Sequence, residues 1–293
     1  FFSVRVTGCY MTKLDANDSL NDDTFKGAPQ GPPADLAEDI PEDVWNRVAN
    51  SLAVISCLRY LVVGLILPCR PKLVAAAGVP ASMYGLTVFT LPTARLLSTF
   101  PIVFSSNHHG RVPVFAAATT SAVLSIPLQG FTMNGVYFAF LRIFEGVSMA
   151  SFVSVPILLG DISSPKNRGG TFSFNQLGYY AGQSVGPLCG GLLAAKLGVR
   201  AVFFCTAPLL GLSAVLAWLL PETLPKHRRS DAGYCDQVRE SAECLAEALS
   251  APQMHFALLI QFVQAVSNLA MVHVIIPQFG ITRLHMGALG LGA

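Results

Sequence analysis

Long apolar runs alternate with short polar stretches along most of this sequence after about residue 50. Each run is about the length that a helix needs to cross roughly 30 Å of hydrocarbon. The pattern predicts seven membrane-spanning helices, at residues 51–68, 83–104, 111–131, 136–159, 171–197, 201–220 and 254–277. The closing "GALGLGA" has the composition expected for the start of an eighth span. We therefore expect an all-α, multi-spanning membrane protein.

Polar segments divide the chain into four parts. Residues 1–49 are rich in Asp and Glu and contain a Gly-Pro stretch, which predicts a disordered, acidic cytoplasmic tail. Residues 50–220 contain the first six spans. Residues 221–253 form a charged cytoplasmic central loop that includes an amphipathic helix, "ESAECLAEALS". Residues 254–293 contain the seventh span.

Lysine and arginine near the span ends indicate the orientation, because cytoplasmic loops carry an excess of both. With a cytoplasmic amino terminus, the inside loops hold more of these residues than the outside loops. The inside set is Arg47, Arg111, Lys166, Arg168, Lys226, Arg228, Arg229 and Arg239, and the outside set is Arg70, Lys72, Lys196, Arg200 and Arg283. We therefore expect a cytoplasmic amino terminus, in either the plasma membrane or an internal organelle membrane.

The composition supports a lipid environment and argues against several functions. Apolar residues make up 52% of the chain and charged residues only 12%, whereas a soluble domain carries about 25% charged residues. The net charge is +2, and no basic patch of the kind that binds nucleic acid is present. The seven cysteines are scattered, and no hydrolase, metalloprotease or P-loop motif occurs. We expect the lipid bilayer as a partner, and no enzyme activity, nucleic acid, metal or cofactor.

Glycine recurs every fourth residue in the fifth span, at Gly178, Gly182, Gly186 and Gly190, and Pro187 follows the third of these. Residues four apart lie on nearly one face of a helix, and small residues let helices in lipid approach closely. Proline removes one backbone hydrogen bond and bends the helix. The pattern predicts a helix that packs tightly and flexes at a fixed point. An ordinary packing face is the alternative.

The same segment, "GQSVGPLCGG", resembles the fifth-helix signature Gly-x-x-x-Gly-Pro-x-x-Gly-Gly of antiporters in the major facilitator superfamily, and Gly191 completes the match. "RIFEGVSMA" is similar to the fourth-helix motif of that family, with Arg142 and Gly146 at the expected spacing. "DISSPKNRGG" resembles the loop that follows, with Asp161 and Arg168 in place. The chain thus resembles the drug:proton antiporter branch of the superfamily.

This resemblance implies two six-helix bundles related by a pseudo-two-fold axis, with a substrate site near the membrane midplane. It implies efflux-type antiport of a small organic solute by alternating access, driven by the proton gradient. Residues 50–220 then form the amino-terminal six-helix bundle, and residues 254–293 the first helix of the second bundle. Because one bundle offers half a cavity, we expect the chain to be truncated or to pair with another six-helix bundle.

One loop departs from the family pattern. Between helices two and three the family usually has Gly-x-x-x-Asp-Arg-x-Gly-Arg, whereas this chain reads "VFSSNHHGRVPVF". Gly110 and Arg111 match, but Asn107 replaces the aspartate and His108 the first arginine. In the family, that aspartate belongs to a cytoplasmic charge network that steadies the outward-open state. Its loss is expected to affect gating.

Ionisable groups inside predicted spans are costly and usually functional. Arg142 and Glu145 lie three residues apart on one helix face and can pair. We expect Arg142 to hold a charge network and Glu145 to take up and release a proton, with a fixed ion pair as the alternative. Arg59 and Arg95 also fall inside predicted spans, where each either faces the cavity or marks a misplaced boundary.

Two polar stripes are candidates for substrate contact, with hydrogen bonding between helices as the alternative role. They comprise Gln176, Tyr180 and Gln183 in the fifth span and Gln261, Gln264 and Asn268 in the seventh. The expected transport network comprises Arg111, Arg142, Glu145, Asp161 and Arg168.

Two other functions stay open at this point. One is a facilitator or symporter for sugars or other organic solutes, because "VPILLGDISSPKNRG" is faintly similar to the sugar-porter loop. The Gly-Pro-Gly-Gly helix favours antiport over this alternative. The other is a non-transporting receptor or a regulatory half-transporter, which the missing loop aspartate and the short chain favour.

Overall fold

The structure is a computed structural model that describes residues 42–80, 84–163, 167–224, 229, 233–250 and 252–268. These residues are largely helical and include no strand. The helices are α1 (Glu42–Ile66), α2 (Arg70–Ala76), α3 (Tyr84–His109), α4 (Arg111–Leu128), α5 (Gly135–Ala150), α6 (Ser154–Ile162), α7 (Arg168–Leu197), α8 (Val199–Trp218), α9 (Tyr234–Ser250) and α10 (Pro252–Asn268). A 3-10 turn, Gln129–Phe131, follows α4, and another, Ser151–Val153, joins α5 to α6. The predicted tail up to residue 41 and the chain beyond residue 268 lie outside the described residues.

Five stretches of the described chain have the length and composition to cross a membrane. They are Trp45–Ile66, Tyr84–His109, Arg111–Phe131, Gly135–Ile162 and Val199–Trp218. These stretches correspond to the first four predicted spans and the sixth. The fifth predicted span is α7, whose 30 residues make it about 45 Å long. α7 is long enough to cross a membrane, but its glycines and polar side chains make it less apolar than the five stretches named above.

Two element boundaries differ from the predicted ones. α1 begins at Glu42 rather than near residue 51, so the prediction of a disordered tail over residues 1–49 is wrong for residues 42–49, which are helical and continuous with the first span. Val48 and Ala49 are buried in the bundle, and this packing extends the helix beyond the apolar run. The fourth span is interrupted by the turn at Ser151–Val153, which divides it into α5 and α6.

Four helix pairs make the most extensive contacts of the described bundle. α1 packs against both α7 and α8, while α3 packs against α5 and α4 packs against α8. Two clusters of buried apolar side chains hold the helices together. One includes Val62, Ile126 and Phe203, and the other includes Ile55 and Phe115. Exposed apolar side chains are frequent on the outer faces, particularly on α3, as expected where helices face hydrocarbon rather than water.

Candidate functional site

The four glycines that recur along α7, here called the glycine ladder, lie against the backbone of α1. A methyl group added at Gly178 would lie 2.5 Å from the Ala53 carbonyl oxygen, and one at Gly186 would lie 2.6 Å from the Gly64 Cα. The other two glycines contact the α1 backbone in the same way. These distances leave no room for a side chain, so glycine is what allows the two helices to touch over several turns.

The contact between α1 and α7 is two-sided, because α1 contributes a glycine of its own. A methyl group added at Gly64 would lie 2.8 Å from the Gly186 Cα and 2.9 Å from the Pro187 Cδ. Pro187 therefore lies at a point of very close approach. A hydrogen bond from Ser56 Oγ to Asn175 Oδ1 (2.9 Å) adds a polar link between the same helices.

Glu145 of α5 lies at the centre of a buried polar cluster and is 0% exposed. Its Oε2 accepts hydrogen bonds from Arg142 Nη1 (2.8 Å) and Gln129 Nε2 (2.9 Å). Its Oε1 forms an ion pair with Arg70 of α2. We call these four residues the Glu145 cluster. Three separate elements contribute to it: α2, the turn after α4, and α5.

The Glu145 cluster holds two positive charges and one negative charge away from solvent. Arg70 is 6% exposed and Arg142 is 4% exposed. Burial lowers the pKa of the Arg70 guanidinium to about 10, so this group remains protonated at neutral pH. Removing one partner of such a buried pair costs about 3–5 kcal/mol, because it leaves an uncompensated charge. A proton that binds Glu145 must therefore displace a contact that holds the cluster together.

A further buried cation, Arg59 of α1, is 1% exposed and has neutral hydrogen-bond partners among the described residues. Its Nη1 donates to Thr119 Oγ1 (3.1 Å) and Ser151 Oγ (3.2 Å), and its Nη2 donates to Ser148 Oγ (2.7 Å). The guanidinium carbon also lies 4.4 Å from the centre of the Phe152 ring, an arrangement that favours a cation. Arg59 thereby joins α1 to α4, to α5 and to the turn that follows α5.

A second ionic cluster lies where α4 begins. Arg111 forms an ion pair with Asp161 of α6, and the Arg111 backbone N–H donates to Glu222 Oε1 (3.1 Å). Glu222 Oε1 also accepts from the Leu224 N–H (3.0 Å), and Glu222 Oε2 lies 3.9 Å from Arg229 Nη2. We call Arg111, Asp161, Glu222 and Arg229 the Asp161 cluster.

Gly110 makes room for this arrangement. It precedes α4 with a φ of +113°, and a side-chain carbon at this position would collide with the Glu222 carboxylate. Glu222 thus lies at the amino terminus of α4, where the helix dipole favours a negative charge. Glu222 and Asp161 supply carboxylates at the end of the bundle where Asn107 replaces the aspartate of the family motif.

The two clusters lie at opposite ends of α4. Arg111 is the first residue of this helix, and Gln129 directly follows its last. With 18 residues, α4 is about 27 Å long. The described bundle therefore carries one ionic cluster near each end, with Arg59 between them.

The other residues predicted for the network and the helix packing lie nearby. Gly146 allows α5 to pack closely against α3, because a methyl group there would lie 2.7 Å from both the Ala94 Cβ and the Leu91 carbonyl oxygen. Gly191 is buried. Arg168 Nη2 lies 3.4 Å from the Gly160 carbonyl oxygen, to which it donates.

The predicted substrate-contact residues are only partly described. Gln176 and Tyr180 are exposed on α7, and Gln183 is half-buried. Gln261, Gln264 and Asn268 belong to α10, but their side chains lie outside the described part of the structure. The role of the two polar stripes in substrate contact therefore stays a prediction.

Several residues of these contacts were not predicted as site residues, among them Gly64, Arg70, Gln129 and Glu222. Arg70 stands just after the first predicted span and Gln129 lies at the end of the third, where polar residues usually face water, and only the packed bundle brings them to Glu145. Gly64 is one small residue in an apolar run. For Glu222 a signal was present, because it follows the sixth span on the same predicted side as Arg111.

The model of the Major Facilitator Superfamily matches residues 52–293 of this chain. The chain is 27% identical over 159 residues to the multi-drug resistance efflux pump PmrA of Streptococcus pneumoniae, a match that covers 53% of this chain and 40% of that protein. It is 26% identical over 170 residues to the tetracycline resistance protein, class C, of Escherichia coli, which covers 57% of this chain and 43% of that protein. The chain thus spans less than half the length of these relatives.

Two solved structures share the fold. The human organic anion transporter MFSD10 (TETRAN) matches 85% of this chain and 68% of its own chain, with a TM-score of 0.66 and 17% identity. A bacterial homolog of the human lysosomal transporter Spinster, in an inward-facing conformation, matches 66% of this chain and 46% of its own, with a TM-score of 0.53 and 16% identity. At these identities the likeness concerns the fold.

These comparisons confirm three predictions made from the sequence. The fold is the all-α, multi-spanning fold of this superfamily, the similar proteins include multidrug efflux pumps, and the chain is a transporter-family protein rather than an enzyme. It is an integral, multi-pass membrane protein. Because the family model covers most of its length, the chain belongs to the Major Facilitator Superfamily.

Proposed function

We propose that the protein exports a small organic solute by proton-coupled antiport, through alternating access between two six-helix bundles. Its family is a transporter superfamily, and its relatives include a multidrug efflux pump and a tetracycline resistance protein. With a cytoplasmic amino terminus, the Asp161 cluster lies on the cytoplasmic side. The Glu145 cluster then lies nearer the opposite surface.

The burial of Glu145 is the observation that carries the proton coupling. Among the described residues it is the one acidic side chain that is fully buried, and carboxylates inside membrane spans usually serve a function. Arg70, Arg142 and a proton compete for the same two oxygens. Because Arg70 and Gln129 belong to other elements than Glu145, a proton that releases them also loosens the packing between those elements. Proton binding is thereby linked to a change of conformation.

The remaining contacts suit the described bundle to act as one half of an alternating-access transporter. The glycine ladder holds α1 against α7 without room for adjustment, so these helices are expected to move as one body. The Asp161 cluster links α4, α6 and the segment after α8 at the cytoplasmic end. Its carboxylates take the place of the missing loop aspartate in steadying that end.

Transport by the full-length protein in proteoliposomes tests the proposal, with an imposed pH gradient and with ethidium and tetracycline as probes. Glu145→Gln retains the shape of the side chain but cannot bind or release a proton, and its amide accepts hydrogen bonds at one oxygen rather than two. We expect this variant to lose accumulation driven by the gradient while it keeps solute-for-solute exchange. Glu243→Gln on α9 is the matched control, because Glu243 is 60% exposed, and it should behave as the wild type.

Gradient-driven accumulation that is unchanged in Glu145→Gln would refute proton coupling through this residue. Equilibration of the probes by the wild-type protein, independent of the gradient, would show a facilitator instead.

A further inference from the structure

The membrane-embedded part of the described bundle carries more positive than negative charge. Away from the span ends, Arg59, Arg95 and Arg142 stand against one carboxylate, that of Glu145, and Arg70 reaches the same carboxylate from α2. Four guanidinium groups of the described residues therefore share one negative charge. A charge in hydrocarbon is stable only with a partner or with water. The excess positive charge favours an anion from elsewhere.

Arg95 is the arginine of this set whose guanidinium has no protein partner in the described ranges. Arg59, Arg70 and Arg142 all form the hydrogen bonds given above. Arg95 lies near the middle of α3 and is only half-buried, and no hydrogen bond or ion pair joins its guanidinium to another described residue. An arginine that faced lipid at this depth would be very costly. We therefore expect its exposed side to face a polar space.

Two tyrosine side chains on other helices interact electrostatically with Arg95. Arg95 is within electrostatic range of Tyr60 on α1, Tyr179 on α7 and the buried Arg59. The Tyr60 and Tyr179 rings meet edge to face, with centroids 3.9 Å apart, and Tyr180 continues the row at 4.7 Å. Tyr180 is 60% exposed. The row of tyrosine rings on α1 and α7 thus offers phenol groups and flat apolar surfaces within electrostatic range of the cation on α3.

The tyrosine hydroxyls are available as donors. No hydrogen bond engages the hydroxyl of Tyr60, Tyr179 or Tyr180 among the residues that the structure describes. A phenol hydroxyl and a guanidinium both donate hydrogen bonds, and hydrogen bonds to an ionised acceptor are stronger than those between neutral groups. This set of groups matches an acceptor that carries negative charge better than it matches a cation.

We propose that Arg95, Tyr60, Tyr179 and Tyr180, here called the Arg95 site, bind the anionic group of an organic solute. Arg95 neutralises a carboxylate or a similar group, and the tyrosine hydroxyls donate hydrogen bonds to it. The tyrosine rings pack against the aromatic or apolar body of the solute. The inference rests on the proposed transport function and narrows its solute to organic anions.

Equilibrium binding to the full-length protein in lipid nanodiscs tests the Arg95 site. Fluorescence anisotropy is measured with two probes that share a xanthene ring system, the anion fluorescein and the cation rhodamine 123. We expect the wild type to prefer fluorescein. Arg95→Gln should weaken fluorescein binding about tenfold or more, because a charge-assisted hydrogen bond is lost. Rhodamine 123 binding should hold or improve, which also shows that the variant is folded.

Two further variants sharpen the test. Arg95→Lys keeps the charge but not the planar fork, so it should retain part of the preference for the anion. Arg239→Gln removes a positive charge from α9, where Arg239 is 82% exposed, and it should leave both affinities unchanged.

Three results would overturn the proposal: tighter binding of rhodamine 123 by the wild type, an equal loss for both probes in Arg95→Gln, or no binding of fluorescein. An equal loss would assign Arg95 to an ion pair within the protein. Because binding needs no turnover, the Arg95 site can stand even if Glu145→Gln shows that transport is not proton-coupled. The two proposals therefore fail separately.

Discussion

Replacing Gly186 by alanine should force α1 and α7 apart. The added methyl carbon would lie 2.6 Å from the Gly64 Cα and 2.8 Å from the Leu61 carbonyl oxygen. Non-bonded carbon atoms prefer a separation of about 3.5–4.0 Å, so the two helices must separate by about 1 Å at this point. Both neighbours are backbone atoms, so no side-chain rotation relieves the clash.

The expected cost follows from two opposing effects. Overpacking of a well-packed contact costs about 1–3 kcal/mol, and here the contact lies within the glycine ladder, so its separation also loosens the flanking contacts. Alanine is a better helix former than glycine, and this preference offsets at most about 1 kcal/mol of that cost. We therefore expect Gly186→Ala to lower the free energy of unfolding by about 1–2 kcal/mol.

The free energy of unfolding is measured on the full-length protein in mixed micelles by titration with sodium dodecyl sulfate, with helix content followed by circular dichroism. Gly211→Ala on α8 is the control, because no atom outside its own chain neighbourhood lies within 4 Å of the added methyl. The control should be neutral or slightly stabilising. Equal free energies for Gly186→Ala and Gly211→Ala would refute the close packing of α1 on α7.

A double substitution gives a second check on the same contact. Gly64→Ala alone should also destabilise, because its methyl would lie 2.8 Å from the Gly186 Cα. Once either substitution has separated the helices, the other should cost less, so the combined loss should be smaller than the sum of the single losses. Simple additivity would mean that the two glycines do not face each other.

Two further predictions concern single contacts. Gly110→Ala should destabilise more than Gly198→Ala, by about 1 kcal/mol, because both glycines have a positive φ before a helix (+113° and +87°) but only the methyl at 110 meets the Glu222 carboxylate. Equal losses in thermal unfolding would contradict this role of Glu222. Ser148→Ala should cost about 1.5–3 kcal/mol because it removes a hydrogen bond from the buried Arg59. Ser213→Ala, which loses a bond within its own helix, should cost less, and the opposite order in the same assay would contradict the importance of that bond.

Local features of the sequence predicted most of the helices but not all of their limits. The apolar runs located the spans, because a helix needs about 20 consecutive, mostly apolar residues to cross the hydrocarbon core. The continuation of the first span back to Glu42 was not predicted, because it depends on the packing of Val48 and Ala49 rather than on a continuous apolar run. The turn at Ser151–Val153 was not predicted either, although Pro156 lacks the N–H that would bond to the Phe152 carbonyl in a continuous helix.

The candidate site was predictable where its chemistry is local. Arg142 and Glu145 lie three residues apart on one helix, and their spacing alone indicates that they can meet. The glycine ladder is likewise a property of one helix. The residues of α1 that contact the glycine ladder, including Gly64, follow only from the register in which the two helices cross.

The sequence by itself determined that lipid surrounds most of this chain, that its spans are helices, and that α7 presents a face without side chains. Each of these is a local property, set by composition or by the helical period. Only the tertiary structure decided that Arg70 meets Glu145 across 75 residues of chain and that Glu222 meets Arg111 across 111 residues. Such partners lie on different elements, and their meeting depends on how all the helices of the bundle pack at once, which no periodicity in one segment encodes.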